Sequence, residues 1–245
     1  MIYKSKKNNF LKIMSMDLSL TGSAIFTGYL NMDNSIIQEL KALVYYDNKK
    51  WFKNKKQNLN IKSIYYKVKS PVTYNKKLQR LKILYTEITS FIKQCNPDYI
   101  ALEGYAYAAK GAVIDIAEFI GSIKNYIYSH KYKLRIYQPQ EPKMFITDKG
   151  NADKEQMLNM VKEKFGIDFS KFGIEVKKKT FSGPGFDLTD AYSILQLLKT
   201  ELLLRYGKLD KDQLTLKQIE VFNRVTKKKK VNLLVEQFIY EKEED

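Results

Sequence analysis

Hydrophobic positions along the chain fall first into short runs and then into helical stripes. Leu11 to Asp17 (LKIMSMD) reads as a first strand ending on an acid. Gly22 and Gly28 permit tight turns on either side of a second strand, Ser23 to Tyr29, and Ile36 to Tyr46 makes a third, which predicts an antiparallel meander. Segment 47–72 interrupts the pattern with a lysine-rich stretch that ends at Pro71 and reads as an insertion. Beyond it, Leu78, Leu81, Leu84, Tyr85, Ile88, Phe91 and Ile92 recur at 3–4 spacing, predicting a one-faced helix. Thr73 is placed to cap that helix and Asn96-Pro97 to stop it.

Tyr99-Ile100-Ala101-Leu102 is short, apolar and bounded by turn chemistry, which predicts a buried central strand delivering Glu103 at its C-terminal end. Gly111 precedes a second helix with Ile116, Ile120, Ile123 and Ile127 on one face. Leu134 to Tyr137 gives a further strand, closed by Pro139 and Pro142. Gly150-Asn151-Ala152-Asp153 opens a third helix, with Asn151 as cap and Asp153 favourable in the first turn. Ser182-Gly183-Pro184-Gly185 leads into a fourth, from about Asp187 to Arg205. The order βββαβαβα predicts an α/β fold: a mixed five-stranded sheet flanked by helices. Gly207 then breaks the chain, so residues 1–206 read as one domain. Residues 207–245 read as a helical C-terminal extension, two short helices around Lys227–Lys230.

Composition adds a strong basic bias, a formal net charge of +16. Of the 43 basic residues 39 are Lys and 4 are Arg, a bias that AT-rich coding explains as readily as a polyanionic partner. Its distribution is more informative. Residues 41–82 carry 13 Lys or Arg against one acid, Asp47, together with Trp51, Tyr65 and Tyr66. Cations interleaved with aromatics suit phosphate contact and base stacking, and a solvated insertion accounts for them equally. The single cysteine, Cys95, excludes an internal disulfide and a Cys-rich zinc site, and reads as a small buried residue at a helix end. No run approaches the ~18 apolar residues of a membrane span, and the N-terminus lacks the apolar core of a signal peptide. These features predict a soluble, cytoplasmic protein. His130 is the only histidine, so no histidine-based catalytic or metal site can be assembled from two of them.

Against this charge stand four acids, Asp17, Glu103, Asp187 and Asp190, each at the end of an apolar run or the start of a helix. Carboxylates are the oxygen ligands that hard divalent cations prefer. Asp187 and Asp190 are three residues apart and share one helical face. Taken singly, each fits helix capping or solvated charge; convergence of the four is the structural test.

In this element order the motifs resemble those of the RuvC-like Holliday junction resolvases of the ribonuclease H-like superfamily, especially their phage and virus relatives. Met16-Asp17-Leu18-Ser19-Leu20-Thr21-Gly22 is similar to the first-strand motif with its Asp. Leu102-Glu103-Gly104-Tyr105-Ala106-Tyr107-Ala108-Ala109-Lys110-Gly111 is similar to the second, with its strand-end Glu. Gly150-Asn151-Ala152-Asp153-Lys154 resembles the loop-to-helix motif, and Phe186-Asp187-Leu188-Thr189-Asp190-Ala191 the terminal helix. The resemblance covers roughly residues 10–205.

It implies a ribonuclease H-like nuclease domain over 1–206 whose catalytic and metal-binding residues are Asp17, Glu103, Asp187 and Asp190. Asp17 would bridge two Mg²⁺ ions, or Mn²⁺, roughly 4 Å apart. Hydrolysis of opposed strands in a four-way DNA junction would leave 5′-phosphate and 3′-hydroxyl ends. Without metal, such crowded carboxylates are expected to have raised pKa values. Lys110, Lys149 and Lys154 are candidate phosphate contacts or solvated lysines, and Tyr105 and Tyr107 candidate junction-contacting aromatics or ordinary tyrosines. Two cuts need two sites, so the resemblance implies a homodimer, with the 112–128 helix either its interface or core only. Segments 47–72 and 208–245 lack a clear counterpart in minimal bacterial members. The same carboxylates would serve a flap or branched-DNA nuclease or a nuclease for RNA–DNA hybrids. A non-catalytic binder has no use for buried acids near DNA, and a sugar-kinase or actin-like ATPase needs a duplicated domain.

Overall fold

The computed structural model describes residues 9–46, 60–65, 74–104, 113–177 and 180–227. Its centre is a mixed sheet built on the expected meander, β1 (Phe10–Asp17), β2 (Gly22–Asn31) and β3 (Ile37–Tyr46), all antiparallel, although Gly28 lies within β2, at a register irregularity, and not at a turn. Two parallel strands, β5 (Tyr99–Glu103) and β6 (Lys133–Tyr137), extend it from the other edge of β1. These are the five strands of the predicted ribonuclease H-like α/β order. A sixth, β4 (Asn60–Tyr65), pairs parallel to β3, giving the order β4-β3-β2-β1-β5-β6. The lysine-rich segment is therefore partly built into the sheet edge. Trp51 and Tyr66, the proposed stacking residues beside it, lie outside the described residues.

β1 is buried on both faces. Ser15 on one and Met14 and Met16 on the other are fully shielded, as alternation along a central strand requires. α5 (Pro184–Arg205) lies across β1 and β2 and buries apolar side chains around most of its circumference: Phe186, Leu188, Ala191, Ile194, Leu195 and Leu198 are all inaccessible. A helix buried around most of its circumference is apolar around most of it, so it lacks a one-sided stripe. Pro184 in its first turn suits the start, where a missing N–H costs nothing.

α1 (Tyr74–Cys95) buries Leu84, Ile88, Phe91 and Ile92, leaves Leu78 exposed, and stops before Asn96 in the left-handed region. Cys95 is buried at its end, as expected. The proposed Thr73 cap is outside the described residues. α2 (Val113–Ser129) turns Phe119, Ile120, Ile123 and Ile127 into the chain's own core. Its outward stripe, Ile114, Glu118, Gly121, Asn125 and Tyr128, is exposed.

Besides β4, a helix and a hairpin depart from the expected order. β6 ends at Tyr137 ahead of Pro139 and Pro142, as expected, but α3 (Gln140–Thr147) follows at once, because the two prolines sit at its entry and first turn, where proline is tolerated. A short hairpin, β7 (Glu175–Lys177) with β8 (Thr180–Ser182), precedes α5. α4 (Lys154–Phe165) is capped by Asp153, not Asn151. The Asp153 side chain accepts from the Gln156 N–H while the Gln156 side chain accepts from the Asp153 N–H, a reciprocal box worth about 1 kcal/mol. Of the C-terminal extension, α6 (Leu216–Lys227) is described and packs on α3. The second short helix expected there lies outside the described residues. Among the described residues no helix is long and apolar enough to cross a membrane.

Candidate active site

Asp17 ends β1 and Glu103 ends β5. Because those strands are parallel neighbours, with Met16 paired to Leu102, the two acids emerge side by side at the carboxyl edge of the sheet. Crevices outside the carboxyl ends of strands are where α/β sheets place ligands. The third component arrives from α5, whose first two turns carry Asp187 and Asp190 on one face. Ser15, two residues before Asp17 and on its side of the strand, donates from Oγ to the Ala191 carbonyl at 2.7 Å. That buried bond fixes how far α5 is advanced along β1. It thereby aligns Asp190 with Asp17.

The four acids line one cleft of about 430 Å³ together with Ser19, Thr21, Gly22, Pro139, Pro142, Lys143, Lys154, Met157, Phe181 and Ser182. The β1–β2 turn that forms one wall is tied by its own serines. Gly22 N–H donates to Ser19 Oγ at 2.9 Å, and Ser23 Oγ donates to the Ser19 carbonyl at 2.7 Å. Gly22 leaves room for the Asp187 carboxylate, since a Cβ there would lie 2.5 Å from Asp187 Oδ2.

Electrostatics follow from packing four carboxylates against two lysines. Burial, then the neighbouring Glu103, Asp190 and Asp187, push the Asp17 carboxyl well above the usual carboxylate range, with Lys154 opposing. Burial and then Asp190 raise Glu103 to about 7, against Lys143 and Lys154. Asp187 is raised to about 7 by burial, with Lys154 lowering it and Asp190 raising it. Asp190 is raised by burial against Lys154 and Lys143. Lys154 Nζ stands 3.8 Å from Asp187 Oδ1 and 3.7 Å from Asp190 Oδ2. Burial works against its charge, but the four acids together outweigh that and raise its pKa. Among the described residues of the cleft, two cations face four acids, an excess of negative charge when all are ionised.

That donor set fits a hard divalent cation in chemistry and charge: oxygen ligands only, buried, and in excess over the lysines. It is not a closed cage. Among the described residues no three acidic, His or Cys side chains stand as a ready ligand set for one ion.

All four predicted acids are thus brought together, and Lys154 joins them. Lys149 is not: it is exposed in the turn after α3 and does not line the cleft. Lys110, Tyr105 and Tyr107 fall outside the described residues. His130 lies just past the end of α2, its Nδ1 2.9 Å from the Tyr126 carbonyl and its ring stacked on Tyr126, away from the acids. Sequence reasoning missed Lys143, which α3 carries into the cleft. The available signal was Glu141-Pro142-Lys143 as a helical first turn, with proline and an acid where both are favoured.

The family model of "Crossover junction endodeoxyribonuclease RuvC" matches residues 55–171. That stretch includes Glu103, Lys143 and Lys154 and stops short of Asp17 on one side and of Asp187 and Asp190 on the other. It also begins within the lysine-rich segment for which no counterpart was expected. The RuvC of Caldicellulosiruptor saccharolyticus is 36% identical over 93 residues, 38% of this chain and 56% of that protein. The RuvC of Brachyspira hyodysenteriae is 33% identical over 84 residues, 34% and 52% of the two chains. The chain therefore spans about half the length of the curated relatives it matches. A solved Thermus thermophilus RuvC aligns over 81% of this chain and 98% of its own, with 15% identity and a TM-score of 0.47. By family model and curated relatives alike, this chain is similar to the RuvC crossover junction endodeoxyribonucleases.

Proposed function

We propose that the protein is a metal-dependent endonuclease that resolves four-way DNA junctions. The observation that carries this reading is the convergence of Asp17, Glu103, Asp187 and Asp190, from three separate elements, in one cleft that also holds Lys143 and Lys154. The likeness to RuvC supplies the substrate.

Asp17, Glu103, Asp187 and Asp190 would hold Mg²⁺, or Mn²⁺. When bound, such ions activate water and neutralise charge developing at phosphorus. The chain's own residues do the rest. Lys143 and Lys154 supply positive charge at the cleft, which draws a phosphate toward an otherwise acidic site. The carboxylates orient water for in-line attack. Its hydroxide adds to phosphorus as the P–O3′ bond breaks, and its proton passes to the 3′ oxygen, leaving 5′-phosphate and 3′-hydroxyl ends. Rigid mounting on a central strand and a largely buried helix keeps the reacting geometry preorganised.

Four Arg residues in the whole chain offer few bidentate guanine contacts, so recognition rests on DNA shape and backbone rather than extended base reading. Paired cuts call for two sites. Because the isoleucine face of α2 is spent on the core, a second copy would meet its outer stripe of Ile114, Gly121 and Tyr128.

Cleavage of a panel of end-labelled DNAs with Mg²⁺ tests this reading. Symmetric paired nicks in the four-way junction are expected. Preferential nicking of flaps, or loss of the RNA strand from a hybrid, would replace the substrate while keeping the chemistry.

A further inference from the structure

The C-terminal extension reaches the cleft indirectly. α6 packs on α3 with Val221 fully buried, and Gln218 of α6 and Thr215, the residue just before that helix, meet the end of α3. Gln218 Nε2 donates to the Phe145 carbonyl at 3.3 Å, and Thr215 Oγ1 donates to Asp148 Oδ1 at 3.1 Å. Asp148 is the left-handed residue that ends α3, at φ 59°. Lys164 Nζ, from α4, donates to the neighbouring Ile146 carbonyl at 2.7 Å. The final carbonyls of a helix have no partner within it, so side chains from elsewhere that fill them also fix where the helix ends. α3 has only eight residues and no side-chain bond at its N-cap. A helix this short is marginal alone and takes its position from what packs on it. It also carries Pro142 and Lys143 on the cleft wall.

We propose that α6 is a positioning element of the cleft, with Gln218 and Thr215 clamping the end of α3 and so setting where Lys143 stands relative to Glu103 and Asp190. This rests on the nuclease reading above, in which Lys143 draws the phosphate. Lys143 already acts electrostatically on both acids.

The test is a double-mutant cycle in the full chain, pairing Thr215→Ala/Gln218→Ala with Lys143→Ala, read by single-turnover junction cleavage. Hydrogen exchange at residues 144–148 is followed in parallel. The Thr215→Ala/Gln218→Ala variant should lose ~10-fold in cleavage rate, the scale of a small misplacement of a reacting group. In the Lys143→Ala background the same change should cost less than ~2-fold, because its route of action is gone. Exchange at 144–148 should be faster. Full loss in both backgrounds overturns the proposal, since a general structural defect would not pass through Lys143. Unchanged exchange overturns it whether or not the protein cuts junctions. A wild type that cuts no junction while exchange still rises on substitution leaves the clamp standing and removes the nuclease reading. If the double variant unfolds, Gln218→Ala alone is carried through the same cycle.

Discussion

Gly22 and Asp187 are fitted to one another, because the space a Cβ on Gly22 would occupy lies 2.5 Å from Asp187 Oδ2. The obstructing atom is the far end of a side chain, so Gly22→Ala is accommodated by swinging the carboxylate rather than by straining backbone. Activity should suffer and the fold should not. A misplacement on the order of 1 Å at a reacting centre can cost roughly 10²-fold in rate. Single-turnover cleavage should fall by about that factor, with the melting temperature within a few degrees of wild type. Equal rates would mean that Asp187 does not need its observed position.

The raised carboxyls make metal-free stability depend on pH with a definite sign. Glu103 and Asp187 are raised to about 7, so between the ordinary carboxylate range and about 7 the folded state binds protons that the unfolded state has lost. Their contribution is fully present below their unfolded pKa values and is lost as pH rises through about 7. Thermal melts in chelator should therefore decline from about pH 5 to pH 7.5, apart from effects of other groups. Glu103→Gln should flatten part of that decline. Millimolar Mg²⁺ should restore stability most at the upper end, because ligating carboxylates must be deprotonated. A melting temperature that rises across this window in chelator would contradict the assignment.

Lys154 lowers both Asp187 and Asp190. Lys154→Met removes the charge and keeps most of the volume, so burial still presses on the acids without its counterweight. The titration midpoint of Asp187, followed by carboxyl NMR in the metal-free protein, should move above about 7. A midpoint that stays or falls would show that the ammonium is not what holds it down.

A control for fold rather than chemistry is provided by Glu201. Its carboxylate accepts from Arg135 Nε at 2.9 Å, Arg205 Nε at 2.8 Å and the Tyr137 hydroxyl at 2.7 Å, all buried between β6 and the end of α5. Removing one member of such a group leaves buried charge without its shared partner, typically costing about 3–5 kcal/mol. Glu201→Ala should lower the denaturant midpoint accordingly while leaving the cleft residues in place. A loss within ~1 kcal/mol would place the network closer to solvent than the structure has it.

The parts of the site legible in sequence are those whose local pattern and tertiary role coincide. Asp17 and Glu103 each follow a run whose buried character is evident, and Asp187 and Asp190 sit a turn apart at a helix start announced by Gly and Pro. Lys143 was hidden because Pro139 and Pro142 read only as the close of β6, whereas they also form the entry and first turn of α3. Asn151 looked like the cap of α4. Asp153 won because only it has a glutamine three residues on to complete the reciprocal bond. Ser15 gives no sequence signal at all: its importance lies in the Ala191 carbonyl 176 residues away, a contact set by tertiary packing. β4 was equally hidden, since lysines at a sheet edge look like a solvated loop although edge strands commonly carry them.

The account turns on the four carboxylates acting as one metal-dependent centre. Its most direct test is junction cleavage in Mg²⁺ by wild type and Asp17→Asn, with junction binding measured for both. Wild type should cut in pairs at opposed strands, and Asp17→Asn should bind the junction undiminished while cutting at least ~10³-fold more slowly, as loss of a carboxylate at the centre of metal-ion catalysis would cause. Cleavage by Asp17→Asn at the wild-type rate would contradict the central claim.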